Sequence, residues 1–204
     1  MKILHINSYY SVSSFYRNLY DKQRENGLDI SVYVPVSKAV DISKLQLGSY
    51  TMISANHGKY DRICFHLKHN KIYKDIINKY SLSEYSIVHA HSLFSNGYIA
   101  YKIYKKFRIP YIVAVRNTDV NVFFKNMIHL RRLGIKILSN AEKVVFISRP
   151  YKEFTINNYV PEKYRKEIEY KSIVLPNGID DFWLNNKVDK KVPPMNNRIN
   201  IIYV

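Results

Sequence analysis

The sequence holds a single cysteine, Cys64, among 204 residues. That excludes an internal disulfide framework and any metal site built from several cysteines. No apolar run approaches the ~18 residues that a membrane-spanning helix requires. Met1-Lys2-Ile3-Leu4 leads straight into a strand-like segment, without the apolar stretch or cleavage site of a secretory leader, so a cytoplasmic, reducing location is expected. Three familiar motifs are missing. No Gly-x-Gly-x-x-Gly follows the first strand, where the loop reads Asn7-Ser8-Tyr9-Tyr10-Ser11-Val12-Ser13-Ser14. No phosphate-binding loop ends in Gly-Lys-Ser/Thr, and no Gly-x-Ser-x-Gly elbow occurs, so dinucleotide, nucleoside triphosphatase and hydrolase assignments lose their support.

Acidic residues are also scarce, 16 against 32 Lys and Arg, for a formal charge of +16. The excess is spread over helix-like segments: Lys102, Lys105, Lys106 and Arg108; Lys125, Arg131, Arg132 and Lys136; Lys163, Arg165 and Lys166. Three polyanions answer such a surface: nucleic acid, an anionic membrane face or an acidic substrate. A plain solvated surface does so equally well. A non-enzymatic binding module for a membrane or nucleic acid is therefore the competing class. The sequence pI of 9.7 meets the electrostatic criterion for nucleic acid, but no helix-turn-helix, zinc-finger or RNP-type aromatic motif accompanies it.

With 47% hydrophobic and 24% charged residues the chain is no disordered tail. Its length suits one large domain, or one domain plus a fragment, burying roughly two-thirds of its surface. Short Val/Ile-rich runs alternate with segments of helical period, the mark of repeated βαβ units. Strands are expected at Lys2–Ile6, Asp29–Val34, Ile87–His91, Tyr111–Arg116, Lys143–Ser148 and Lys171–Leu175. Helices are expected near Ser14–Asn26, Lys71–Tyr80, Ser95–Phe107, Phe123–Ser139 and Pro150–Tyr159. Ile112-Val113-Ala114-Val115 and Val144-Val145-Phe146-Ile147 are apolar without alternation, as in parallel strands covered on both faces. The expected fold is α/β, a doubly wound, mostly parallel Rossmann-like sheet with its ligand crevice at the carboxyl ends of the strands.

Residues just after the strands are thus the ones to read for function. Val88-His89-Ala90-His91-Ser92 ends one strand and Ser95-Asn96-Gly97 opens a helix. Alternation puts His89 and His91 on one face. Helix-start amides with Ser92 and Ser95 could hold a phosphate or sugar hydroxyl, or Ser95 or Asn96 simply caps the helix. The next strand ends Arg116-Asn117-Thr118-Asp119. Arg116 could bind a phosphate or carboxylate and Asp119 sugar hydroxyls, or the two pair with each other while Asp119 caps the following helix. Leu175-Pro176-Asn177-Gly178-Ile179-Asp180 contains an Asn-Gly turn able to take positive φ, with Phe182 and Trp183 close behind. His57, His66 and His69 near Cys64 match no standard zinc spacing, and the segment reads as a basic surface loop, so no metal is expected. The segment containing Phe123, Phe124, Met127, Ile128, Leu130 and Leu133 among basic residues is amphipathic enough to lie at a membrane interface, or it faces the core. Polar residues 185–197, with Pro193-Pro194, read as a linker. Residues 198–204 then read as one new strand, opening a second domain or closing the first sheet.

Four of these stretches, VHAHSLFSNGY (Val88–Tyr98), IPYIVAVRNTD (Ile109–Asp119), AEKVVFIS (Ala141–Ser148) and VLPNGID (Val174–Asp180), together resemble the amino-terminal domain of the retaining family 4 glycosyltransferases of GT-B fold. The resemblance implies two Rossmann-like domains across a cleft. The first, residues 1–184 here, holds a glycan or lipid-linked glycan acceptor. The second, which residues 198–204 would open, holds the nucleotide-sugar and the paired glutamates. It implies polysaccharide biosynthesis, no cofactor beyond the nucleotide-sugar co-substrate, no metal, docking of some members on anionic membranes, and no transfer by this half alone. The residues it singles out for the acceptor are His91, Arg116, Asn117 and Asp119. Asn7 and Ser8 fall on the cleft floor; Ser95, Asn177, Gly178 and Asp180 fall near the donor. Two departures stand out: serine and tyrosine replace a glycine-rich first loop, and Arg116 stands where many members carry histidine. Arginine cannot serve as a base near neutral pH but can bind an anion.

Overall fold

The computed structural model describes residues 1–178, apart from Ser14, Gln46, Lys59 and the side chain of Arg62, together with Asn185 and Asn186. Asp180, Phe182, Trp183, the rest of the expected linker and the strand expected at 198–204 lie outside the described residues.

Seven strands pair in parallel throughout: β1 Lys2–Ile6, β2 Asp29–Ser37, β3 Thr51–His57, β4 Ile87–Ala90, β5 Tyr111–Val115, β6 Lys143–Phe146 and β7 Ser172–Val174. Their order is β3-β2-β1-β4-β5-β6-β7. The chain winds outward from β1 to β3, then returns to start again at β4 on the other side of β1. The reversal opens a crevice beyond the carboxyl ends of β1 and β4, where ligands of such sheets bind. Helices α1 Phe15–Glu25, α2 Phe65–Lys79, α3 Ser95–Phe107, α4 Arg131–Asn140, α5 Arg149–Tyr159 and α6 Glu162–Tyr170 cover the faces.

Strand positions follow the apolar runs closely, and the differences have local causes. β3 escapes the apolar pattern because Thr51-Met52-Ile53-Ser54-Ala55-Asn56-His57 sits at a sheet edge, where partial exposure admits polar residues. β3 and an α2 that begins at Phe65 replace the expected basic surface loop, and His57 and His69 are buried. α6 carries only one buried residue, Ile168, and so shows little periodicity. The single helix expected over Phe123–Ser139 is broken into a π-helical turn at Asp119–Phe124, a short 3₁₀ turn at Ile128–Leu130, and α4. Phe124 and Leu130 are buried there, while Phe123, Met127 and Leu133 pack on the same core. Ile128 of the same stripe is 65% exposed, so the stripe packs on the core except at that residue. Among the described residues no helix is long and apolar enough to cross a membrane.

The sheet separates two cores. Leu4, Ile6, Val88 and Ala90 join Ile72, Ile76, Ile99 and Ile103 on the side of α2 and α3. Ile3, Val32 and Val34 pack on the other side with Tyr16 and Tyr20 of α1. Alternation sends His5 to that second side as well.

Candidate functional site

The crevice is assembled from the ends of three strands and one distant loop. β1 and β4 run in register, His5 beside His89 and Ile6 beside Ala90, and the His91 amide extends the ladder by donating to the Ile6 carbonyl (3.1 Å). His5, His89 and His91 therefore share one face. Their ring centroids lie 4.2 Å apart for His89–His91, 5.2 Å for His5–His89 and 5.3 Å for His5–His91. His5 Nδ1 is 3.1 Å from His91 Nε2, and so is the Tyr20 hydroxyl. Asn7 Nδ2 donates to that hydroxyl (2.8 Å), linking the first loop to the histidine cluster. Asn7 Oδ1 accepts from the Tyr9 amide (2.9 Å), so the fully buried Asn7 shapes the first loop from beneath.

Burial sets the charge of this floor. It pushes His5 and His91 well below the usual imidazole range, with neighbouring imidazoles adding to the effect. It pushes His89 down to about 4, helped by the Arg116 guanidinium. All three rings are neutral near pH 7. One nitrogen from each lies within 4.8 Å of the others, a donor set that suits a late transition metal. The Arg116 guanidinium adds positive charge beside this cluster.

Asp119 serves the backbone. Its carboxylate accepts from the amides of Leu93 (2.9 Å), Phe94 (3.0 Å) and Arg116 (2.8 Å) and is 1% exposed. Burial raises it to about 6, against the pull of those amides and of the Arg116 charge. The start of α3 is therefore held from the β5 end of the sheet, not capped by its own side chains. Ser92 assists, its Oγ accepting from the Asn96 amide (3.1 Å) and its carbonyl from Gly97 (2.8 Å). Gly97 allows a close approach here, since a Cβ would stand 3.0 Å from Val113 Cγ2 and 3.1 Å from the Ser92 carbonyl. Neither Ser95 nor Asn96 makes a side-chain cap, a correction to the expected capping.

Arg116 joins three of the expected segments. Its Nε donates to the His91 carbonyl (3.2 Å) and Nη1 to Asn177 Oδ1 (3.3 Å), with the guanidinium carbon 6.0 Å from the Tyr16 ring centre. No side-chain pair forms between Arg116 and Asp119; only the Arg116 amide meets that carboxylate. Asn117 is exposed at the rim, its Oδ1 accepting from Asn121 Nδ2 and its carbonyl from the Tyr151 hydroxyl (3.1 Å). Ser8 and Ser95 are half-buried and Gly178 is exposed. Asn177 and Gly178 keep negative φ, so the expected left-handed turn does not form within the described residues. Sequence reading missed His5, Tyr16 and Tyr20. The alternation that joined His89 to His91 would have placed His5 on the same face, had the pairing of β1 with β4 been known.

Known proteins share this framework. The family model for glycosyltransferase family 4 matches residues 12–181. No curated protein matches the sequence. Among solved structures, a sucrose-phosphate synthase of Thermosynechococcus elongatus superposes with TM-score 0.62 at 14% identity, covering 91% of this chain and 94% of that one. A UDP-GlcNAc 2-epimerase of Neisseria meningitidis, bound to UDP-GlcNAc, superposes with TM-score 0.56 at 13% identity, covering 87% of this chain and 47% of that one. This chain thus spans about half the epimerase. With a family model matched over most of its length and a Rossmann-like sheet of GT-B type, the chain belongs to glycosyltransferase family 4.

Proposed function

We propose that this chain is the acceptor-binding half of a retaining glycosyltransferase that moves a sugar from a nucleotide-sugar donor to a glycan or lipid-linked glycan. The observation that carries the reading is the polar cluster at the strand-order reversal, where Arg116 ties the β4 end and the Asn177 loop to β5. The epimerase of like fold holds a nucleotide-sugar, the donor class this reading requires. Arg116 and Asn117 contact the acceptor at the rim. His91 and Asp119, both buried, position them from below. Asn7, Ser8 and Ser95 form the floor, and Asn177 with Gly178 borders the donor side. Cations of a facing donor domain stabilise the leaving diphosphate, so this half supplies orientation and does not transfer sugar alone.

The test uses the protein extended through its donor domain. Arg116→Ala should lower kcat/KM on the order of 10²-fold through lost orientation, with the helical circular dichroism retained. Wild-type transfer rates in that variant would remove Arg116 from the site.

A further inference from the structure

We propose that the crevice recognises a carboxylate or phosphoryl group on the acceptor through the Arg116 guanidinium. The proposal rests on the acceptor reading of this crevice and names the acceptor's chemical class. Among the described residues the guanidinium meets no carboxylate: its two partners, the His91 carbonyl and Asn177 Oδ1, are neutral oxygens. Two of its five N–H donors are thereby committed, and the remaining ones have no protein acceptor among the described residues.

The surroundings compensate that charge only in part and at a distance, through the field of Asp119. Beneath it lie imidazoles, Asn7 and two tyrosines, groups without formal negative charge. The nearest acid, Asp119, is buried, and both its oxygens are taken by three backbone amides. The guanidinium carbon also lies 6.0 Å from the centre of the Tyr16 ring, a neutral neighbour. A half-buried guanidinium held by neutral partners at a ligand crevice is suited to a planar or tetrahedral oxyanion, which it can grip with two parallel bonds. A neutral sugar hydroxyl would leave the charge unmatched.

Probes of known chemistry test this on the protein by following its arginine Nε–Hε NMR signals. Methyl glucuronide and inorganic phosphate should each shift one signal saturably, the signal absent from Arg116→Gln, whereas methyl glucoside should leave it in place. Arg116→Gln should weaken anion binding at least about tenfold, since bonds to a charged group are worth about 1.5–3 kcal/mol. Arg116→Lys should fall between, keeping charge but losing the fork, and remains informative if the glutamine variant misfolds. Arg132→Gln, at an exposed position of α4, should bind as the parent does. Unchanged anion binding in Arg116→Gln, an equal loss in Arg132→Gln, absence of a saturable shift, or equal binding of the glucoside would each overturn the proposal. UDP displacing methyl glucuronide from this arginine would assign the site to the donor diphosphate and overturn it too. Sugar transfer by an enzyme that ignores these anions would leave the proposed function standing and remove only the anion site.

Discussion

β1 and β4 present two unlike faces to two sets of helices. Toward α2 and α3 they show Leu4, Ile6, Val88 and Ala90, all with no exposed surface, in a continuous aliphatic core. Toward α1 the same strands show Ile3, His5, His89 and His91, met by Tyr16 and Tyr20. Both faces are covered, yet only one is apolar. Stability alone favours apolar groups at covered positions, because a buried polar group costs free energy unless bonded. The second face is incompletely bonded: among the described residues His91 Nδ1 is buried without a hydrogen-bond partner, and the only side chain that reaches His5 from α1 besides Tyr20 is Gln23. That imperfection ends at the crevice, where Arg116 rests on the His91 carbonyl. The first face holds the fold, and the second trades stability for a neutral, shaped floor under one cation.

This contrast can be broken most sharply on the dry face. Leu4→Ala should cost about 3 kcal/mol, the usual loss for a buried leucine, seen as a lower urea midpoint at unchanged m. A cost below about 1 kcal/mol would show that the dry face is not the principal support.

Acid should reveal the polar face. Folding lowers the histidine pKa values, so the folded state resists protonation that the unfolded chain accepts from about 6.5 downward. The stability they contribute is complete above that pH and is lost as pH falls toward about 4, the His89 value. His89 accounts for a loss on the order of 2–3 kcal/mol, since each unit corresponds to about 1.4 kcal/mol. Asp119 works in the opposite sense. With a folded value of about 6 against 3.8 unfolded, its burial costs stability as pH climbs through that interval. Chemical denaturation from pH 7.5 to 4.5 in the presence of a chelator should therefore show a steep acid limb that His89→Gln flattens and Leu4→Ala only displaces. Parallel limbs in parent and His89→Gln would contradict the assignment.

The smallest effect belongs to Tyr20→Phe, which removes the acceptor of Asn7 Nδ2 and one partner of His91 while keeping the ring. A loss of about 1–2 kcal/mol is expected at pH 7.5, the range for a buried group left unpaired. A neutral or stabilising result would mean that Asn7 is not held through that hydroxyl.

Much of the architecture was legible in the sequence. The unbroken runs at Tyr111–Val115 and Lys143–Phe146 announce covered parallel strands, and the strand ends drew attention to His91, Arg116 and Asn177. Edge strand β3 and the sparsely buried α6 were not legible, because each faces solvent over much of its length and lacks a clear apolar period. For Asp119 the residue was found but its work was not. A carboxylate after a strand reads as a cap or a ligand group, and only the approach of the Leu93 and Phe94 amides shows which demand it meets.

The sequence by itself determined the class of sheet, most of its elements and the surplus of positive charge, since apolar runs and charge counts act locally or by sum. Tertiary structure alone decided that His5 lies against His91, 86 residues away, and that Arg116 reaches Asn177, 61 residues away. Hydrogen bonds and desolvation act over about 3 Å, so the partners and charge states of these groups depend on strand order and register, which no local pattern encodes.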